Sequence, residues 1–76
     1  MSHTFSLVIH NEPSVLLRIS GIFARRGYYI SSLYLNERDT SGVSEMKLTA
    51  VCTENEATLL VGQLKKLIDV LQVNKL

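Results

Sequence analysis

The stretch best equipped for chemistry is Asn11-Glu12-Pro13-Ser14-Val15-Leu16. Pro13 has the fixed φ that suits a first helical turn, and Asn11 can cap it. The amides around Pro13, Ser14 and Val15 would then stand at a helix start, where unpaired N–H groups and the positive pole of the helix dipole attract anions. A carboxylate fits such a place. Asn11 offers an acceptor for an ammonium group, and Leu16, Leu17 and Ile30 have the character to wall a pocket for a small aliphatic side chain. The plainer reading is that Asn11 and Pro13 do no more than start a helix.

The remaining reactive residue types do not assemble into a site. Ser, His and Asp fall in no nucleophile-base arrangement, and there is no glycine-rich phosphate loop, so catalysis by this chain is not expected. His3 and His10 lack metal-ligand spacing, and Cys52 stands alone in an apolar register as an inert core thiol. The charge pairs Arg25-Arg26 and Lys65-Lys66 read as solvated helix ends, with a subunit contact as the alternative role for Arg18 or Arg26.

Two strands and a helix must position the 11–16 stretch. Over residues 4–10, Phe5, Leu7 and Ile9 alternate with Thr4, Ser6, Val8 and His10, which predicts a strand buried on one side. Over 15–26 the apolar residues Leu16, Ile19, Ile22 and Phe23 recur at steps of three and four, which predicts an amphipathic helix ended by Gly27. A second strand follows over 28–36, then a polar hairpin loop over 37–42. The third strand, 43–52, puts Met46, Leu48, Ala50 and Cys52 on one face and Glu45, Lys47, Thr49 and Val51 on the other. Thr53 and Glu56 form a capping box that starts a second helix, with Ala57, Leu60, Val61, Leu64, Leu67 and Ile68 as its apolar stripe. Residues 70–74 give a last strand, at a sheet edge or beside the first strand. The order β-α-β-β-α-β, with one apolar stripe per helix, predicts an α+β, ferredoxin-like sandwich: a four-stranded antiparallel sheet with both helices on one face.

The 76 residues read as a single domain over 1–76. A chain of this size buries only about 60% of its unfolded surface, and with no disulfide or metal framework, association with another chain is the expected source of extra stability. Tyr28, Tyr29 and Tyr34 suit a sheet edge or a dimer seam. The net charge of +1 and the absence of charge runs argue against nucleic acid and anionic membrane as partners. No apolar run is long enough for a membrane span and no signal core opens the chain, so a cytoplasmic soluble protein is expected.

The run N-E-P-S-V-L-L-R-I-S-G-I-F-A-R-R-G-Y-Y-I-S-S-L, with the later Q-L-K-K-L-I-D-V-L-Q-V, resembles the amino-terminal ACT domain of the acetolactate synthase (acetohydroxyacid synthase) small regulatory subunit. The resemblance covers nearly the whole chain. Its most specific parts are Arg18, Gly21 and Phe23, then Arg26-Gly27-Tyr28, Ile30, Ser32-Leu33, and Lys66-Leu67-Ile68-Asp69-Val70. It implies a protein that binds no cofactor, associates with the thiamine-diphosphate catalytic large subunit in branched-chain amino acid biosynthesis, raises its activity, and confers feedback inhibition by valine or a related amino acid. It also implies homodimers joined through sheet edge and helices. The effector would lie between the first strand-helix turn of one copy and the second strand of the other, at Asn11, Pro13, Ser14, Val15, Leu16, Tyr29 and Ile30. In the family a glycine commonly stands where this chain has Ser14, and an asparagine where it has Tyr29. A serine narrows close approach, and a ring replaces a compact amide, so the pocket departs from its usual valine form. The longer family members carry a carboxy-terminal domain as well, so the chain reads as a short single-ACT form or as a piece of a longer one.

Three other readings compete. A stand-alone homodimeric ACT sensor would bind an amino acid and act on a different partner. An RNA-recognition module would need aromatic platforms where the third strand has Glu45, Lys47, Thr49 and Val51. An acylphosphatase-like enzyme would need a glycine-rich anion loop at the first turn. The fold alone does not separate these, so the matched motif decides.

Overall fold

The computed structural model describes residues 1–37 and 42–76. Its elements run β1 (Ser2–His10), α1 (Pro13–Arg25), β2 (Tyr29–Glu37), β3 (Val43–Val51), α2 (Glu54–Lys65) and β4 (Val70–Lys75). The strands form one antiparallel sheet in the order β2-β3-β1-β4, the expected ferredoxin-like arrangement. Register explains why one face becomes the core. Phe5 pairs with Leu48 and Leu7 with Met46, so the alternating apolar residues of the two central strands rise on the same side. Both helices cover that side. Val15, Ile19, Ile22 and Phe23 of α1 and Ala57, Leu60 and Leu64 of α2 join one continuous cluster with Phe5, Leu7, Ile9, Met46, Leu48, Ala50 and Cys52. At its centre the rings of Phe5 and Phe23 meet edge to face, with centroids 5.8 Å apart and planes at 69°.

Helix boundaries explain where the expected stripes and the observed ones differ. Because α1 begins at Pro13, its buried positions are Val15, Ile19, Ile22 and Phe23, and Leu16 sits half-buried at the margin. The helix closes as Gly27 takes φ +75. The Gly27 amide then donates to the Ala24 carbonyl and the Tyr28 amide to the Phe23 carbonyl, both at 3.0 Å, which is a Schellman closure. Helix α2 ends at Lys65, capped by Lys66. Ile68 therefore lies in the turn beyond it, 90% exposed rather than in the stripe. Of the expected 37–42 loop, Glu37 belongs to β2 and Gly42 takes φ +83, while residues 38–41 lie outside the described residues. Cys52 is buried, and its burial, followed by the neighbouring Glu56 carboxylate, raises its pKa.

The capping box forms as read. The Glu56 amide donates to the Thr53 hydroxyl at 3.2 Å, and the Thr53 amide donates to the Glu56 carboxylate at 2.8 Å. That second bond holds the Glu56 pKa below the ordinary carboxylate value. A carboxyl group with a lowered folded pKa stabilises the fold fully above its unfolded pKa, about pH 4.3, and loses that contribution as pH falls through the folded value. In thermal melts across pH, the Glu56→Gln variant is expected to be less stable than the parent at pH 7 and to converge with it in the acid range. Parallel curves for the two proteins would remove Glu56 from the account.

Candidate functional site

The α1 entry differs from its sequence reading in one instructive way. The cap residue is Glu12, in extended conformation (φ −104, ψ 141) and with no side-chain cap bond, as expected of a residue that precedes proline. Asn11 is therefore not the cap. Its amide donates to the Gly42 carbonyl at 2.7 Å, and its side-chain Nδ2 donates to the Glu37 carboxylate at 3.4 Å, tying the β1 exit to the far end of β2. The Val15 amide is taken by the Glu12 carbonyl at 3.0 Å, and proline has no N–H. Of Pro13, Ser14 and Val15, Ser14 is thus the one with an N–H left for a ligand. Asn11, Pro13 and Ser14 are exposed, Val15 is buried, and Leu16 is half-buried.

Tyr29 and Ile30, the other half of the predicted set, stand at the opposite end of β2 from Glu37. A strand advances about 3.3 Å per residue, so about 25 Å of strand separates Tyr29 from the end to which Asn11 is tied. One copy of the chain does not bring Asn11 and Ser14 together with Tyr29 and Ile30. What it does form is a depression of about 370 Å³ between α1 and the start of β2, lined by Leu17, Ser20, Gly21, Ala24, Tyr28, Tyr29 and Ile30. Partial burial, followed by the Glu56 carboxylate, raises the pKa of the Tyr28 hydroxyl above its ordinary value.

Strand β2 is the outlier of the sheet. It pairs with β3 alone, and every residue from Ser31 to Glu37 is exposed. Leu33 lies opposite Leu48 and Leu35 opposite Met46, so both leucines point to the helix side, where their partners on β3 are fully buried. Leu33 nevertheless remains 46% exposed and Leu35 42%. The signals for this edge were present in the chain: the small residues Ser20, Gly21 and Ala24 recur at steps of one and three on α1, away from its core stripe, and Leu33 and Leu35 alternate as a buried strand would. Glu37, which the sequence placed in a loop, is the other group missed.

Residues 5–72 match the family model for the AHAS small subunit-like ACT domain. The chain belongs to that family. Among its relatives, this ACT domain is 39% identical over 72 residues to the acetolactate synthase small subunit 1 of Nicotiana plumbaginifolia, covering 95% of the chain and 16% of that protein. It is 37% identical to the acetolactate synthase isozyme 3 small subunit of Escherichia coli K12, covering all of the chain and 47% of that protein. The crystal structure of the acetolactate synthase small subunit from Thermotoga maritima superposes with a TM-score of 0.87 at 31% identity, over 99% of this chain and 47% of that one. The ACT domain thus spans about half the length of these microbial relatives and less of the plant one. Among the described residues, no helix is long and apolar enough to cross a membrane, and no three His, Cys, Asp or Glu side chains gather as metal ligands.

Proposed function

We propose that the chain, as one ACT domain over 1–76, is a non-catalytic regulatory subunit of acetolactate synthase. It would work as a homodimer joined along β2 and α1, and raise the activity of the thiamine-diphosphate-dependent catalytic large subunit. The observation that carries the dimer is the open β2 edge, with Leu33 and Leu35 uncovered on the helix side and the small-residue flank of α1 beside it. Antiparallel pairing of two copies about Leu33, the middle residue of β2, sets Tyr29 of one copy against Glu37 of the other. This pairing closes the 25 Å gap within a single chain. It brings Tyr29 and Ile30 of one copy to Asn11, Pro13, Ser14, Val15 and Leu16 of the other.

A free amino acid fits that seam, with its carboxylate at the Ser14 amide and its ammonium toward Asn11 and strand carbonyls. Binding across the seam would regulate by differential affinity for the activating and inactive arrangements. Ser14 and Tyr29 set the fit. Calorimetry with valine, leucine and isoleucine tests the effector half of the reading. The Ser14→Gly/Tyr29→Asn double variant is expected to bind valine about tenfold more tightly than the parent, an order of change that one or two pocket contacts supply. Equal affinities in parent and variant would take both residues out of the pocket. Acetolactate formation with and without the domain tests the subunit half.

A further inference from the structure

At the other end of α1 from the Ser14 turn, Ile22, Arg25 and Arg26 face Gln63 of α2 across a depression of about 250 Å³. The floor is aliphatic, since Ile22 is 8% exposed, and the rim is cationic. Two cations elsewhere in the molecule have carboxylate partners. Arg18 pairs with Asp69 at 3.2 Å, and Lys75 pairs with Glu54. Arg25 and Arg26 have no carboxylate within ion-pair distance among the described residues, α1 contains no acidic residue, and Glu56 is bonded to the Thr53 amide. The Arg25 Nε donates to the Gly21 carbonyl at 3.3 Å, which lays the guanidinium along the helix and leaves its outer N–H groups to face a ligand. Two planar forks beside a neutral amide suit a carboxylate on a neighbouring protein, and an orientation fixed in advance lowers the entropy cost of using it.

The position of this groove argues for an occupant other than a second copy. On the helical wheel, Arg25 lies to one side of the α1 core stripe, with Ile22 at the near margin of that stripe, and Ser20 and Ala24, from the flank assigned to self-pairing, lie to the other side. Both grooves of a dimer joined at β2 would therefore stay open on the helix side. We propose that the Arg25–Arg26 groove is the docking site for an acidic segment of the catalytic large subunit, an Asp or Glu held between the guanidinium groups with an apolar neighbour resting on Ile22. This rests on the regulatory-subunit reading.

The test titrates the full chain into the catalytic chain from the same source and reads the concentration giving half-maximal association. The Arg25→Glu/Arg26→Glu variant is expected to need about tenfold more protein or greater, while Lys65→Glu/Lys66→Glu stays at the parent value. The parent's own affinity is expected to weaken from about 50 to about 300 mM salt, with a shallower slope in Arg26→Gln. Sedimentation and thermal melts establish that each variant is folded. If the arginine pair variant does not fold, the salt slopes of the parent and Arg26→Gln decide. Parent-like association by a folded Arg25→Glu/Arg26→Glu protein, or identical slopes for parent and Arg26→Gln, would overturn the groove assignment. Failure of the parent itself to associate would instead overturn the subunit reading on which it rests.

Discussion

Phe23→Ala is expected to remove a large part of the domain's stability. Phe23 is fully buried and forms an edge-to-face pair with Phe5 at the meeting point of α1 and β1. Truncating a buried phenylalanine costs about 3–5 kcal/mol, the sum of lost transfer energy and the cavity left behind. A domain of this size has only about 4–11 kcal/mol of stability at the usual 0.05–0.15 kcal/mol per residue. The loss is thus about a quarter of the total or more. Urea titration followed by far-ultraviolet circular dichroism measures it, with Leu59→Ala as the comparison because Leu59 is 62% exposed on α2. The exposed variant should stay within about 0.5 kcal/mol of the parent. A Phe23→Ala loss under about 1 kcal/mol would mean that the α1–sheet seam is not the centre of the core.

Leu33→Asp is expected to turn the proposed dimer into monomer without preventing folding. Leu33 makes little intrachain contact for its type, yet in the twofold pairing it lies at the axis, so one substitution acts twice. Losing about half the burial of a leucine in each copy, and placing two carboxylates side by side, removes about 3 kcal/mol or more. That corresponds to at least about a hundredfold rise in the dimer dissociation constant. Sedimentation equilibrium reads the mass directly, and effector binding should fall with it, because Asn11 and Tyr29 then never meet. A Leu33→Asp protein that remains dimeric would place the seam elsewhere, with the open edge of β4 as the other sheet edge available.

Periodicity carried most of the architecture. The alternation of Phe5, Leu7 and Ile9 and of Met46, Leu48 and Ala50, the Thr53–Glu56 box, and Gly27 as helix stop each have a local cause, and each stands in the structure as read. The misreadings share a different origin. Asn11 has the chemistry of a cap, but the residue before a proline is pushed to extended backbone, so Glu12 takes the cap position and Asn11 turns to Glu37, a partner 26 positions away in the chain. Ile68 continued an apolar rhythm after the helix had already ended at Lys65. The candidate site was legible as a set of residue types and not as a place. Its two groups lie beside opposite ends of β2, and periodicity along one chain does not say that a second copy is needed to join them.

The most direct test of the account is the rate of acetolactate formation by the catalytic chain from the same source, measured as this domain is added and then across valine, leucine and isoleucine. The account predicts a saturable rise in rate on adding the domain, followed by a response to at least one of the three amino acids that disappears with Leu33→Asp. An unchanged rate in the presence of folded, dimeric domain would contradict it, and a free-standing amino-acid sensor acting on another partner would take its place.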